Sequence, residues 1–180
     1  MDLYEKLMKH AAHDGKLVEK DGTSVLPVPH GSLERRSVTH VDNRGEVTEL
    51  FDTRWDFHPD PISFVYTYTV NPGHAKGWGM HKLHEDRYFL LEGRMEIVCY
   101  DVRADSPTYG EISKIRLSKE NPKIVTIPKF VWHANLNIGP DICRVINFPT
   151  MPYDHENPDK YRLPLDTDLI PYKIEGVTGY

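Results

Sequence analysis

Two histidines and a carboxylate stand close together in a polar stretch that leads into an apolar run. The stretch is GWGMHKLHEDRYFLLEG, from Gly77 to Gly93, and it contains His81, His84 and Asp86. Histidine titrates near neutral pH and also binds transition metals, so this stretch could hold a metal ion or take a proton from a substrate. A third interpretation, a polar loop ahead of a strand, requires no chemistry.

Another histidine, His133, lies in the apolar segment IPKFVWHANLN, from Ile127 to Asn137. A titratable residue inside an apolar strand is either a hydrogen-bonded core residue or part of a site. For His81 and His133 to act on one ligand, the fold must bring these two segments together.

The elements that would position these residues are short β-strands. After one amphipathic helix at Asp2–His13, which Asp14-Gly15 ends, the helical period disappears. Short β-rich runs follow without strand–helix alternation, which predicts an all-β sandwich, jelly roll or barrel. The predicted strands are Arg36–Val41, Glu46–Phe51, Ile62–Val70, Arg87–Leu91, Arg94–Tyr100, Glu111–Leu117, Ile124–Ile127, Trp132–Ile138 and Cys143–Phe148.

The sequence is interpreted as a single domain. Residues 1–35 are expected to form the helix and an extended arm, and residues 36–180 the β-domain. From Pro149 onward the chain is rich in Pro and Asp and has little pattern, so we expect an irregular, ordered tail that wraps the barrel.

Composition excludes several classes of function. The chain has 180 residues, a net charge of -5 and no dense Lys/Arg block, which argues against a nucleic-acid or membrane partner. No apolar run is long enough to cross a bilayer, and the N-terminus lacks an apolar signal core, so a cytoplasmic protein is expected. Cys99 and Cys143 lie in apolar runs and are expected to be buried, reduced thiols.

The two histidine segments resemble the two cupin motifs. In the second segment, Pro128, His133 and Asn137 have the spacing of the second motif, with Phe130 in a glycine position. The first segment matches in part, since Gly79 replaces the first histidine and Asp86 stands where Glu is usual. The positions in register with the first motif are Gly73, His81, Asp86 and Gly93. This resemblance implies a double-stranded β-helix, the cupin jelly roll, with a short N-terminal helix and an irregular tail added.

A metal-dependent cupin is one function that this register allows. A metal cupin needs three or four convergent ligands, and the register offers His81, Asp86 and His133, a 2-His-1-carboxylate set. His84 is three residues from His81, so on a strand it would face the other way, and it is expected to be a solvated loop residue. The alternative cofactor is therefore a divalent transition metal, in an isomerase or a dioxygenase.

A second resemblance covers nearly the whole chain from about Val38. The chain is similar to the dTDP-4-dehydrorhamnose 3,5-epimerases, which are metal-free cupins. The segments that carry it are DNRGEVTELF, GWGMH, VRADSPTYG, LSKENPKIVTIPKFVWH and PLDTDLIPY. The resemblance implies no cofactor, and a reaction in which a proton next to the C4 ketone of a nucleotide-linked sugar is removed and returned from the other face.

The same resemblance assigns roles to individual residues. His81 takes the position of the base, Asp166 matches its carboxylate partner, and His133 matches the second histidine of the site. Arg44 and Glu49 match the pair that holds the nucleotide, often across a dimer interface, so a homodimer is implied.

Three positions of the family pattern differ here. Trp78 replaces an arginine, and we expect it to contact a sugar or base ring. Asp86 replaces a lysine, so Lys82 or Arg87 would have to supply the cation. Asn147 stands where the family has its acidic tyrosine, and Asn cannot act as a general acid. All five residues are predicted to contact substrate, as is Tyr153, which could supply a hydroxyl.

Three functions remain open from the sequence. The first is a metal-free epimerase or ketoisomerase acting on a 4-keto-6-deoxy nucleotide-sugar, with His81 as base. The second is the metal-dependent cupin. The third is a catalytically silent cupin that binds a sugar.

Overall fold

The computed structural model describes residues 1–20 and 22–179 of the chain. Helix α1 spans Leu3–Met8 and begins at a capping box formed by Asp2 and Glu5. The predicted helix Asp2–His13 is therefore too long. No residue of α1 is buried, and short helices without tertiary contacts are marginal in water, which accounts for the early end.

β-strands supply nearly all the other regular structure, together with one 3-10 turn at Thr53–Trp55. The strands are β1 (Glu34–Arg36), β2 (Thr39–Asp42), β3 (Gly45–Thr48), β4 (Tyr66–Val70), β5 (His74–Met80), β6 (Asp86–Glu92), β7 (Arg94–Asp101), β8 (Ile112–Ser118), β9 (Lys123–Ile127), β10 (Val131–Asn137), β11 (Cys143–Asn147), β12 (Tyr161–Arg162) and β13 (Thr178–Gly179). Among the described residues, no helix is long and apolar enough to span a membrane.

The strands form two packed sheets. One sheet has the order β1-β9-β6-β11-β4 and the other the order β12-β5-β10-β7-β8, with β13 beside β5. Strands β2 and β3 form a separate hairpin. All pairings are antiparallel except that of β13 with β5. The predicted all-β fold is confirmed.

The strand ends and one whole strand differ from the prediction. The predicted run Arg36–Val41 divides into β1 and β2, and Ile62–Val70 is a strand only from Tyr66. Strand β5 was not predicted, because HAKGWGM contains two glycines and no β-branched residue. Strand β1 pairs with β9, so the last residues assigned to the arm belong to the sheet.

The main core lies between the two sheets, and a second apolar cluster covers the outer face of β5, β7 and β10. In that second cluster, Trp78 and Val98 are fully buried against tail residues such as Leu163 and Ile170. Trp78 and Leu163 also exchange two backbone hydrogen bonds, of 3.2 and 3.0 Å. The tail after Pro149 thus packs on the barrel wall, and both cysteines are buried and unpaired.

Gly77 is the tightest point between β5 and β10, and it provides a test of this packing. Its φ is +139°, and a Cβ added there would lie 2.6 Å from Ala134 Cα. Gly45 has nearly the same φ, +142°, with nothing within 4 Å of such a Cβ. Gly45→Ala should therefore lower the free energy of unfolding only through backbone strain, by about 1–3 kcal/mol.

Gly77→Ala carries the same strain and adds overpacking, so we expect a further loss of about 1–3 kcal/mol. Urea denaturation of both variants measures the difference. Equal losses would show that the β5–β10 contact can relax to accept a methyl group.

Candidate active site

A polar cavity of about 230 Å³ lies between strands β4 and β6 of one sheet and strands β5, β10 and β12 of the other. Its lining residues are Tyr66, Tyr68, Lys76, Gly77, Gly79, Tyr88, His133, Asn135, Lys160 and Arg162. Hydroxyl, amide, imidazole and cationic groups dominate this wall. Most ligand sites are lined mainly by apolar groups, so this one suits a polar, anionic ligand.

Asp86 is the centre of the polar network beneath the cavity. It is 1% exposed, and its Oδ2 lies 3.3 Å from His81 Nε2 and 3.4 Å from His133 Nε2. Tyr88 Oη donates to the same oxygen at 2.6 Å, and Asn147 Nδ2 donates to Oδ1 at 2.7 Å. One buried carboxylate therefore has two imidazoles, a hydroxyl and an amide as close partners, and a third imidazole nitrogen, His84 Nε2, lies 3.8 Å from its Oδ1.

Strand alternation explains why these side chains converge. Successive residues of a strand point to opposite faces, so Asp86 and Tyr88 of β6 share the inner face. On β10, His133 and Asn135 share the inner face in the same way. The pairing of β10 with β5 is irregular between these two residues, and such bulges often re-aim side chains beside active sites.

The charges in this network support one another. Burial raises the pKa of Asp86, but hydrogen bonds from His133 and His81 outweigh burial and hold that pKa well below its usual value. Burial lowers the pKa of His81, while the hydrogen bond and charge of Asp86 outweigh it and leave the pKa raised. A carboxylate that stays ionised thus increases the basicity of a neighbouring imidazole.

Backbone carbonyls fix the tautomers of both imidazoles. His81 Nδ1 contacts the carbonyl oxygen of Asp159, and His133 Nδ1 contacts that of Val131 at 3.2 Å. A carbonyl accepts a hydrogen bond, so each Nδ1 carries a proton and donates it. The Nε2 atom of each ring faces the Asp86 carboxylate, so Nε2 donates to Asp86 when it is protonated and can take a proton or bind a metal when it is not.

The tail brings a second acidic residue, Asp159, to the loop between β5 and β6. Its carboxylate accepts from the backbone N–H of Lys82 and of Leu83, at 3.1 and 2.7 Å, and lies 3.0 Å from His84 Nδ1. The His84 and His81 rings are 4.0 Å apart between centroids. His84 is thus not a solvated loop residue, because the loop bends around Asp159 and strand alternation does not apply there.

Cations occupy the tail side of the cavity. Lys76 of β5 and the tail residues Lys160 and Arg162 all line it. Desolvation lowers the pKa of Lys160, the charge of Asp86 opposes this, and repulsion from Arg162 and Lys76 lowers it further. An anionic ligand would relieve this repulsion.

Of the sequence-predicted residues, His133 lines the cavity, and Asp86 and Asn147 lie directly beneath it. His81 joins them through Asp86 but does not line the cavity, and it is 8% exposed beneath His84 and the tail. His133, predicted from the sequence as the second histidine of the site, is therefore the histidine whose imidazole has direct access to a ligand.

Three residues that were predicted to contact substrate point away from the cavity. Arg87 lies on the opposite face of β6 from Asp86, and its guanidinium donates to the carbonyls of Asp60, Pro61, Phe148 and Pro149. Trp78 faces the outer cluster. Lys82 is exposed, with Nζ 4.3 Å from the Tyr161 ring centroid. Strand alternation explains the first two, and the bend around Asp159 the third.

Four other predicted residues lie away from the cavity. Asp166 is exposed in the tail, and the carboxylate against His81 belongs to Asp86 instead. Tyr153 is 46% exposed, beside His155. Arg44, at the tip of the β2–β3 hairpin, pairs with Asp42 at 2.5 Å, and Glu49 follows the hairpin as an exposed residue.

Sequence reasoning missed most of the cavity wall. The alternation Tyr66-Thr67-Tyr68 is a signal for two tyrosines on one face of a strand. Asn135, two residues after His133, carries the same signal. Lys160 and Arg162 lie in the tail, where the sequence has no periodic pattern to indicate which side chains face inward.

A metal ion would fit the predicted set. One ligand atom from each of His81, Asp86 and His133 lies within 4.8 Å of the others, and all three residues are buried. Two Nε2 atoms and one carboxylate oxygen match a 2-His-1-carboxylate site. The carbonyl partners of the Nδ1 atoms are also the kind that orient metal-binding histidines.

Comparison with known proteins places the chain in a family. Residues 40–161 match the model of the polysaccharide biosynthesis C-terminal domain family. The probable low-salt glycan biosynthesis epimerase Agl13 of Haloferax volcanii is 36% identical over 143 residues, which is 78% of this chain and 91% of that protein.

Solved structures share the fold. A dTDP sugar isomerase from Desulfovibrio desulfuricans G20 superposes with a TM-score of 0.74 at 23% identity, over 81% of this chain and 91% of that chain. The 3'-monoepimerase ChmJ of Streptomyces bikiniensis, in complex with dTDP-quinovose, gives a TM-score of 0.69 at 19% identity, over 82% and 76% of the two chains. The chain therefore belongs to the polysaccharide biosynthesis C-terminal domain family and is an epimerase-like enzyme of the isomerase class, with the cupin jelly-roll fold of these solved structures.

Proposed function

We propose that the chain moves a proton at a carbon next to a ketone of a nucleotide-linked sugar, as an epimerase or ketoisomerase. The observation that carries this proposal is the buried Asp86 carboxylate shared by His81 Nε2 and His133 Nε2 beneath a polar cavity. Removal of such a proton needs a base that titrates near neutral pH, and a carboxylate-backed imidazole meets this need. The names of the relatives support it: Agl13 is a probable epimerase, and ChmJ was solved with a dTDP-sugar.

The base in this proposal is His133. His133 lines the cavity, and a Cβ added at Gly79 would lie 3.9 Å from its Nε2 and 3.5 Å from Lys160 Cε, so that nitrogen lies beside the part of the cavity wall formed by Gly79 and Lys160. When Nε2 takes the substrate proton, the imidazole becomes positively charged, and the Asp86 carboxylate, whose Oδ2 lies 3.4 Å from that nitrogen, stabilises the imidazolium. His81, which the sequence favours as base, supports Asp86 from behind.

The proton returns from the side of β4. Asn147 is held in one orientation, because its Oδ1 accepts from the backbone N–H of Arg87 and its Nδ2 donates to Asp86. The same Nδ2 donates to Tyr66 Oη at 2.8 Å, so Tyr66 keeps its own proton for the cavity. Burial raises the pKa of Tyr66 to about 12, so the hydroxyl stays protonated at neutral pH.

The cationic wall serves the charged parts of the substrate. Loss of the proton leaves negative charge on the ketone oxygen, and Lys160 can stabilise that charge from the cavity wall. Lys76 and Arg162 add two further cations, which suits the diphosphate of a nucleotide-sugar.

The homodimer and the cytoplasmic location that are expected from the sequence stay predictions.

The test is solvent exchange. In D₂O, the protein should incorporate deuterium into a 4-keto-6-deoxy nucleotide-sugar, detected by NMR and mass spectrometry, and should exchange the free keto sugar far more slowly. Tyr66→Phe should keep exchange but lower inversion by about 10²-fold or more, because only the return of the proton from the second face is lost. Tyr109→Phe, an exposed tyrosine outside the cavity, is the matched control.

Binding without any exchange in the wild-type protein would instead support the catalytically silent sugar-binding cupin. If Tyr66→Phe lost deuterium exchange as well as inversion, the result would contradict the proposal that Tyr66 acts only by returning the proton to the second face of the substrate.

A metal-dependent cupin is the second candidate, favoured by the convergence of both Nε2 atoms on Asp86. His81, Asp86 and His133 would hold the ion, which would supply Lewis-acid or redox chemistry when bound. Metal analysis of protein purified without chelator tests this. About one transition-metal ion per chain, lost in His133→Ala, would support the metal cupin, and a content far below one ion per chain would count against it.

A further inference from the structure

Asn135 carries an atom that the protein leaves without a partner. The side chain is 5% exposed, lines the cavity and donates from Nδ2 to Tyr68 Oη at 3.0 Å. Its Oδ1 is buried and accepts no hydrogen bond from any described residue. Buried polar side-chain atoms are nearly always paired, so an exception on a residue that lines a cavity needs an explanation.

The position of Asn135 explains what that oxygen is for. It lies two residues after His133 on the same face of β10, so their Cα atoms are about 6.6 Å apart, from a rise of about 3.3 Å per residue. A pyranose ring whose exchanging carbon reached His133 would place one of its other ring hydroxyls beside Asn135. The oxygen can only accept, and a sugar hydroxyl can donate.

We infer that Asn135 is a specificity-determining residue that accepts a hydrogen bond from one ring hydroxyl of the sugar. This inference rests on the proposed function for the identity of the ligand as a sugar. The hydrogen bond that Asn135 accepts does not depend on which reaction the protein performs. A site built to bond a hydroxyl rejects an analogue without it, because the buried group is then left unpaired. The sugar must therefore keep a hydroxyl near the exchanging carbon, and a sugar with hydrogen at that place would be a poor ligand.

The experiment compares nucleotide-sugars that each have one ring hydroxyl replaced by hydrogen. Binding is measured by calorimetry and turnover by solvent deuterium exchange. In the wild-type protein, one replacement should weaken binding or turnover by about 10²-fold or more, and the others by much less. Asn135→Leu, of similar size, should bind the full sugar more weakly and lose this discrimination, while Asn121→Leu, in the exposed turn between β8 and β9, should behave as wild type.

The ligand comparison uses wild-type protein, so it holds even if Asn135→Leu folds poorly. Equal tolerance of every replacement by the wild-type protein would overturn the inference, as would discrimination that survives in a folded Asn135→Leu. Discrimination in binding without any exchange would uphold Asn135 and reject the proposed reaction. Deuterium exchange without discrimination between the replaced sugars would uphold the proposed reaction and reject the role of Asn135.

Discussion

Replacing Asp86 by asparagine is expected to lower solvent exchange by about 10³-fold or more and the free energy of unfolding by about 2–4 kcal/mol. The carboxylate accepts from Tyr88 and Asn147 and faces two imidazoles. An asparagine offers one acceptor oxygen, so one of these donors would face its NH₂ group. The imidazolium formed during the reaction would also lose the charge that stabilises it.

Asp166→Asn is the matched control for this variant. Asp166 is the carboxylate that the family resemblance assigns to His81, and the structure places it on the surface. We expect its removal to change the free energy of unfolding by no more than about 0.5 kcal/mol and to leave exchange intact. Thermal denaturation and the deuterium assay measure both quantities. Loss of exchange in Asp166→Asn with Asp86→Asn active would restore the sequence-based partner.

The second large effect is expected at His133. His133→Asn should lower exchange by about 10²–10⁴-fold, the usual contribution of a general base, because its Nε2 borders the cavity at Gly79. His81→Asn should cost less, since His81 reaches the cavity only through Asp86. Both variants keep a polar side chain whose amide can replace the Nδ1 hydrogen bond to a backbone carbonyl, which limits damage to folding.

Rates of deuterium uptake at saturating substrate compare the two histidine variants. The decisive quantity is the ratio of the two exchange rates, because each variant removes one imidazole from the same carboxylate, Asp86. A larger loss in His81→Asn would show that His81 is the base, as the sequence alone indicates, and that the tail segment over it moves aside when substrate binds.

The barrel and the two histidine strands could be predicted from local patterns. Strands β6 and β10 are apolar and lie between turn residues, and the spacing around His133 is specific. Strand β5 could not be predicted because it depends on close contact between Gly77 and Ala134 rather than on its own propensity. Tertiary contacts override propensity at such positions.

Site membership was harder to predict than fold, because it depends on which face of a strand looks inward. Asp86 and Arg87 are neighbours, and the sequence predicts a substrate contact for both, yet Asp86 lies directly beneath the cavity and Arg87 contacts the outer loops. Asp159 and Lys160 reach the site from a tail segment without periodicity. No rule of strand alternation could have separated Asp159 from Asp166, which lies seven positions later in the numbering.

The tail residues that complete the site follow the whole barrel in the chain. Strands β1 to β11 are synthesised before Asp159, Lys160 and Arg162, so the barrel can close around Asp86 while His81 is still uncovered and the cationic wall incomplete. The nascent protein would then hold a folded scaffold that cannot yet retain an anionic ligand. Docking of the tail, including the pairing of β12 with β5, is therefore the step that completes the site, and it can follow the formation of β1 to β11.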